Sequence, residues 1–118
     1  MLTRVRRLLR YAVGTRYIDI DHTSATRLEL RCGATKTIFD KESAQVLQNS
    51  RLVGTFGVID RIELHQPRNQ EGLANWFVTL QLEGRQQIEV GKVTDQTDAS
   101  LVGARISTIT SRPVVVKP

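Results

Sequence analysis

Asp19-Ile20-Asp21-His22 is the densest group of metal-ligand side chains in the sequence. A metal ion needs several oxygen or nitrogen donors converging on one point. Successive side chains of a strand alternate between its faces. Asp19 and Asp21 would then share one face and His22 would point the other way. Two converging donors do not make a metal site, so solvated charge on a strand face is the expectation. Glu63 and His65 share a strand face with Arg61 beside them, and a carboxylate–imidazole pair can do acid–base work. Nothing nearby supplies a nucleophile or a cofactor loop, and a cross-strand ion pair is expected there instead. Cys32 would become a nucleophile if Arg31 and Lys36 lowered its pKa. It sits on the apolar parity of Leu28 and Leu30, however, and reads as core.

Two further stretches invite a chemical reading. Gly54-Thr55-Phe56-Gly57 lacks the Gly-Lys-Ser/Thr ending of a phosphate loop, and a strand rather than a helix follows it, so these are turn glycines. Trp76-Phe77 suggests a base-stacking platform, which requires cations around exposed aromatic rings. The nearest local cation is Arg68, and Trp76 shares the parity of Val78, Leu80 and Leu82, which assigns it to the core. No catalytic set, metal site or cofactor site can be assembled, and an enzyme is not expected.

Charge is more informative. The formal net charge is +5 and the pI is near 10.0. Five of the 17 Lys/Arg residues are Arg4, Arg6, Arg7, Arg10 and Arg16, in a leader that holds no acid. The twelve cations that follow are matched by twelve acids, so a basic leader precedes a neutral body. Leu2–Val13 reads as an amphipathic helix: Leu2, Val5, Leu9 and Ala12/Val13 recur at helical spacing, Leu8 widens the stripe, and arginines fill the remaining arc. Gly14 is a natural helix stop. Such a helix can lie on an anionic membrane surface, or it can pack its stripe on the domain or a partner subunit with the arginines solvated. At about a dozen residues it is too short to be stable alone in water.

The elements that must position these residues follow from periodicity. Beyond Gly14 the period becomes two: Ile18–His22, then Arg27–Cys32, then a turn at Cys32-Gly33-Ala34 into Thr35–Asp40. Ala44–Val53 is expected to return as a hairpin partner, although Ala44, Leu47 and Gln48 also fit a helix over Lys41–Ser50. Phe56–Gln66 alternates apart from Ile59 and Asp60, which predicts a bend or bulge. Pro67–Ala74 is a polar loop. Trp76–Leu82 is the clearest strand, followed by a turn at Glu83-Gly84-Arg85 and a returning strand through Ile88 and Val90. Asp95, Thr97 and Asp98 supply helix-start chemistry for a stripe of Ala99, Val102, Ile106 and Ile109. Gly103 within that stripe fits a helix backbone that sits close to a sheet. Pro113 ends the helix, and Val114–Val116 could add to a sheet edge.

The expected fold is mainly β, a β-rich α+β domain. About seven antiparallel strands form a rolled sheet or partly open barrel capped by one C-terminal helix, with the basic helix in front. The domain division is 1–16 for the leader and 17–118 for the roll. The stretches Thr37-Ile38-Phe39-Asp40, Phe56–Leu64 and Trp76–Gly84, with the final helix and Arg112-Pro113-Val114, resemble bacterial pleckstrin-homology-like domains of uncharacterised function. The resemblance covers most of Tyr17–Val116 and implies a non-catalytic lipid-binding, peptide-binding or scaffolding module. No Lys/Arg cluster occupies the first hairpin turn, where phosphoinositide-binding members carry one.

Two functions follow as expectations. The first is an interaction module that Arg4, Arg6, Arg7, Arg10 and Arg16 tether to an anionic membrane surface or an acidic protein partner. The alternative is a small nucleic-acid-binding barrel that uses the leader as a basic arm. Oligomerisation through the leader or the C-terminal tail fits either. A lone Cys32 allows no intrachain disulfide, no apolar run spans a bilayer, and the leader lacks the apolar core of a secretory signal. A cytoplasmic protein, peripheral to the inner face of the membrane, is expected. Were Met1 preceded by further chain, the leader would suit the cytoplasmic end of a transmembrane helix.

Overall fold

The computed structural model describes residues 17–67 and 75–117. They form nine strands and one α-helix in two sheets. The first sheet is a five-stranded antiparallel meander of β1 (Ile18–Thr23), β2 (Arg27–Cys32), β3 (Thr35–Asp40), β4 (Gln45–Gln48) and β5 (Arg51–Thr55). A 3₁₀ turn, Phe56–Val58, leads into the second sheet, which contains β6 (Ile59–His65), β7 (Trp76–Leu82) and β8 (Gln87–Val93). Helix α1 (Gln96–Thr110) follows, and β9 (Val114–Lys117) returns parallel to β6, giving the order β8-β7-β6-β9. The chain is therefore mainly β with a C-terminal helix, as its periodicity predicts. The expected roll resolves into two sheets, and it is not a closed barrel.

Two features raise the strand count from the expected seven. The segment Ala44–Val53 makes two strands rather than one. Asn49 and Ser50 both take left-handed φ, 51° and 69°, which is the two-residue hairpin geometry that matches strand twist. The helical alternative for Lys41–Ser50 is thereby excluded. The valine tail supplies the other strand: Ile62 N–H donates to Pro113 O at 2.9 Å, and Val114–Lys117 pair along Ile62–His65.

The two inner faces and α1 enclose one core. Leu28, Leu30, Phe39 and Val46 come from the first sheet; Ile62, Leu64, Val78 and Leu80 come from the second. In β7 the alternation is unbroken, with Trp76, Val78, Leu80 and Leu82 buried and the residues between them half-exposed. Ala99, Val102, Ile106 and Ile109 of α1 are all buried. Burying a large apolar side chain is worth roughly 1.5–3 kcal/mol, so these stripes fix both sheets to the helix. Asp95 caps α1 by accepting from Asp98 N–H at 2.8 Å, and Ser111 closes it in a left-handed conformation. Gly103 lies where a Cβ would meet Leu64 and Val114 at 3.3 Å, the close approach that its place in the stripe foreshadows.

The sheets meet at Gly91. The β7–β8 register shifts after Val78, and Gly91 takes φ +155° against Cys32 and Ile18 of the first sheet. A Cβ there would lie 2.6 Å from the Cys32 Cβ. The missing side chain is what lets β8 fold onto the ends of β1 and β2.

Candidate functional site

Arg4, Arg6, Arg7, Arg10 and Arg16, and the amphipathic leader they belong to, lie outside the described residues. The body candidates can be placed one by one.

The alternation expected for Asp19, Asp21 and His22 fails. A register shift between Ile20 and His22 inserts Asp21 as an extra residue, so His22 pairs with Glu29 while Asp19 pairs with Arg31. Glu29 and Arg31 lie two apart on β2, so His22 shares the outer face with Asp19 instead of opposing it. Asp21 is engaged by Arg31, whose Nε donates at 2.9 Å. Among the described residues no group of three or more His, Cys, Asp or Glu side chains could hold a metal ion. Nearby, Arg27 at 2.7 Å and Lys36 at 3.0 Å converge on Glu29. The hydrogen bonds from Arg27, then from Lys36, hold the Glu29 carboxyl below the usual carboxylate range. This part of the first sheet's outer face is an ion-pair ladder.

Cys32 packs against Gly91, and burial pushes its thiol pKa up, with Lys92 opposing through its backbone hydrogen bond and charge. A thiol held protonated is a poor nucleophile. The core assignment accounts for Cys32. Gly57 is a turn glycine, in the 3₁₀ turn that leads to a strand, whereas Gly54 lies within β5 and not in a turn.

The outer face of the second sheet is more interesting. Glu63 is 5% exposed yet charged by type, and three partners surround it. Arg61 donates to Oε1 at 2.8 Å, Gln81 donates to Oε2 at 3.2 Å, and Lys117 lies 3.4 Å from Oε1. The expected cross-strand pair is therefore real, but its partner is Lys117 of β9; Arg61 is on the same strand. His65 opposes Lys117 on one side and Phe77 on the other, and Phe77 opposes Lys92. Directly opposed residues point to one face, so Lys117, His65, Phe77 and Lys92 form a row across four strands. Two grooves flank Phe77. One, of about 410 Å³, is also lined by His65, Thr79 and Lys117; the other, of about 270 Å³, is lined by Thr35 and Lys92. Phe77 and Glu89 belong to both. Lys92 is held with its ammonium 6.0 Å from the Tyr17 ring centroid, within cation–π reach.

Sequence reasoning sent Trp76 to the core, and it is 9% exposed there. It set Phe77 aside because the nearest cation along the chain was Arg68. The cations that reach Phe77 come from β8 and β9, fifteen and forty residues further on. Only the strand pairing reveals them. No helix among the described residues is long and apolar enough to cross a membrane. In comparisons with known proteins, the chain matches no family model, no curated protein and no solved structure.

Proposed function

We propose that the chain is a non-catalytic binding module, a pleckstrin-homology-like roll that its leader tethers to an anionic membrane surface on the cytoplasmic side. One observation carries this reading: the whole net charge resides in Arg4, Arg6, Arg7, Arg10 and Arg16, and the rest of the chain is balanced. A surface-wide basic field would argue for general polyanion binding, whereas a short arginine-rich amphipathic segment suits the headgroup region of a bilayer. The antiparallel meander β1–β5, the antiparallel run β6-β7-β8 and the helix that follows it support the pleckstrin-homology-like comparison, while β9, parallel to β6, is an addition to it. The β1–β2 turn, Ser24-Ala25-Thr26, holds no cation, so attachment is assigned to the leader and not to an inositol-phosphate pocket in that turn. The ion-paired state of Glu29 and Glu63 supports a structural role for these carboxylates over a catalytic one.

The test is sedimentation of the full chain with vesicles of phosphatidylcholine alone or with added phosphatidylserine. Each near-surface cation contributes about 1 kcal/mol. Replacing Arg6, Arg7 and Arg10 by Ala should therefore weaken binding to the anionic vesicles by about 3 kcal/mol, on the order of a hundredfold. Equal binding to both vesicle types, or no loss in the triple variant, would refute the proposal.

A further inference from the structure

We propose that the outer face of the β8-β7-β6-β9 sheet binds single-stranded nucleic acid along the row Lys117–His65–Phe77–Lys92. Single-strand binders combine aromatic rings, on which bases stack, with cations that track the phosphates. The row has that composition in that order: two rings at its centre, one lysine at each end. The grooves on either side of Phe77, about 410 and 270 Å³, are of the size that takes small planar ligands. Each groove holds one of the two lysines on its lining.

The spacing selects a strand over a single nucleotide. Strands lie about 4.8 Å apart, so the backbones at Lys117 and Lys92 are separated by three such steps, about 14 Å. With Lys117 drawn toward Glu63 and Lys92 toward the Tyr17 ring, the two ammonium groups suit separate phosphates of a chain that crosses the sheet better than one shared phosphate. The acids on this face do not oppose this. Glu63 is buried and paired with Arg61 at 2.8 Å, so Lys117, 3.4 Å away and with its side chain 54% exposed, can turn to a phosphate without leaving Glu63 unpartnered. Glu89 is exposed on the wall common to both grooves, where a carboxylate can accept from the exocyclic amino group of cytosine. None of the four residues of the row belongs to the leader, so the proposal stands or falls separately from membrane tethering.

The experiment is fluorescence anisotropy with the full chain and a labelled deoxycytidine decamer, between 50 and 200 mM salt. Loss of a base–aromatic stack corresponds to a roughly five- to hundredfold loss of affinity. Phe77→Leu, which keeps the apolar volume, should show that loss, and Phe77→Tyr should restore most of it. Lys92→Ala should weaken binding and reduce the log–log salt slope by about 0.7, the value of one single-strand phosphate contact. Cytidine monophosphate should compete only weakly. Absence of decamer binding would overturn the proposal. So would affinity that is unchanged in both Phe77→Leu and Lys92→Ala, because the leader arginines would then be the contact. A monophosphate that competes as well as the decamer would overturn the crossing-strand geometry.

Discussion

Gly91→Ala should destabilise the protein more than its one added carbon suggests. The new Cβ would stand 2.6 Å from the Cys32 Cβ, 2.7 Å from its Sγ and 2.7 Å from the Ile18 Cγ1. Real Cβ atoms do not approach neighbours so closely, and the Cys32 Cβ is fixed to the β2 backbone and cannot swing away. Overpacking of this kind costs about 1–3 kcal/mol. The φ of +155° adds strain for any L side chain, another 1–3 kcal/mol or so. Together these give a loss of about 2–6 kcal/mol, a large share of the 5–15 kcal/mol that holds an ordinary domain folded. For a chain of this length, 1 kcal/mol moves Tm by about 4 °C, so the midpoint should fall by roughly 8–24 °C.

Thermal unfolding followed by circular dichroism measures this, with Gly57→Ala as the control. Gly57 has nothing within 4 Å of its would-be Cβ, and its Tm should stay within about 2 °C of the parent. A double-mutant cycle locates the cause. Cys32→Gly removes two of the three obstructing atoms, so it should be less harmful on the Gly91→Ala background by at least about 1 kcal/mol. A Tm drop in Gly91→Ala under about 4 °C would refute the reasoning, because the sheets could then not meet at Gly91 as closely as described. Additivity of the two substitutions would place the strain in φ alone.

Two other predictions concern the ion pairs. Glu63→Ala removes a buried acceptor of a charged hydrogen bond from Arg61 and the ion-pair partner of Lys117, and should cost about 1.5–3 kcal/mol in urea unfolding. Arg61→Ala should cost less, since Arg61 is 35% exposed and the Glu63 carboxylate keeps Lys117 and Gln81; a reversed order would contradict the assignment of Glu63 as the hub. Glu29 carries a pH dependence of definite sign. Its folded pKa is depressed by Arg27 and Lys36, so its contribution is present above the unfolded carboxylate value, near pH 4.3, and is lost as pH falls through the lower folded value. The pair is solvent-screened and worth at most about 1 kcal/mol. The stability difference between the parent and Glu29→Gln should therefore be constant from pH 7 to 5 and shrink below pH 4, and a difference that grows on acidification would be the wrong sign.

How much of this was legible in the sequence depends on range. Period-two alternation placed Trp76, Val78, Leu80 and Leu82 inward, and the helical stripe of Ala99, Val102, Ile106 and Ile109 was equally plain, because each pattern is local and one face is fully buried. The bulge near Ile59 and Asp60 was legible too, as a break in that alternation. The bulge at Asp21 was not. Asp19-Ile20-Asp21-His22 alternates without a flaw, and only the register against β2 shows that one residue is extra. The Asn49-Ser50 turn was hidden for another reason: neither residue is glycine, yet both take positive φ, so no residue type announced it.

The same limit of range separates the two proposed surfaces. The leader is a one-dimensional feature, five arginines within sixteen residues, and any reader of the chain finds it. The row on the second sheet is created by pairing alone: His65 and Phe77 are brought opposite each other by the β6–β7 hairpin, Lys92 arrives on β8, and Lys117 arrives only after α1 has returned the chain parallel to β6. That order gives β9 a second role. It covers the β6 edge, and it also carries the cation that neutralises Glu63 and ends the row. Breaking the β6–β9 pairing would therefore perturb the Glu63 cluster and the groove beside Phe77 together. A strand that looks like a structural afterthought thus couples the stability of the sheet to the charge of its outer face.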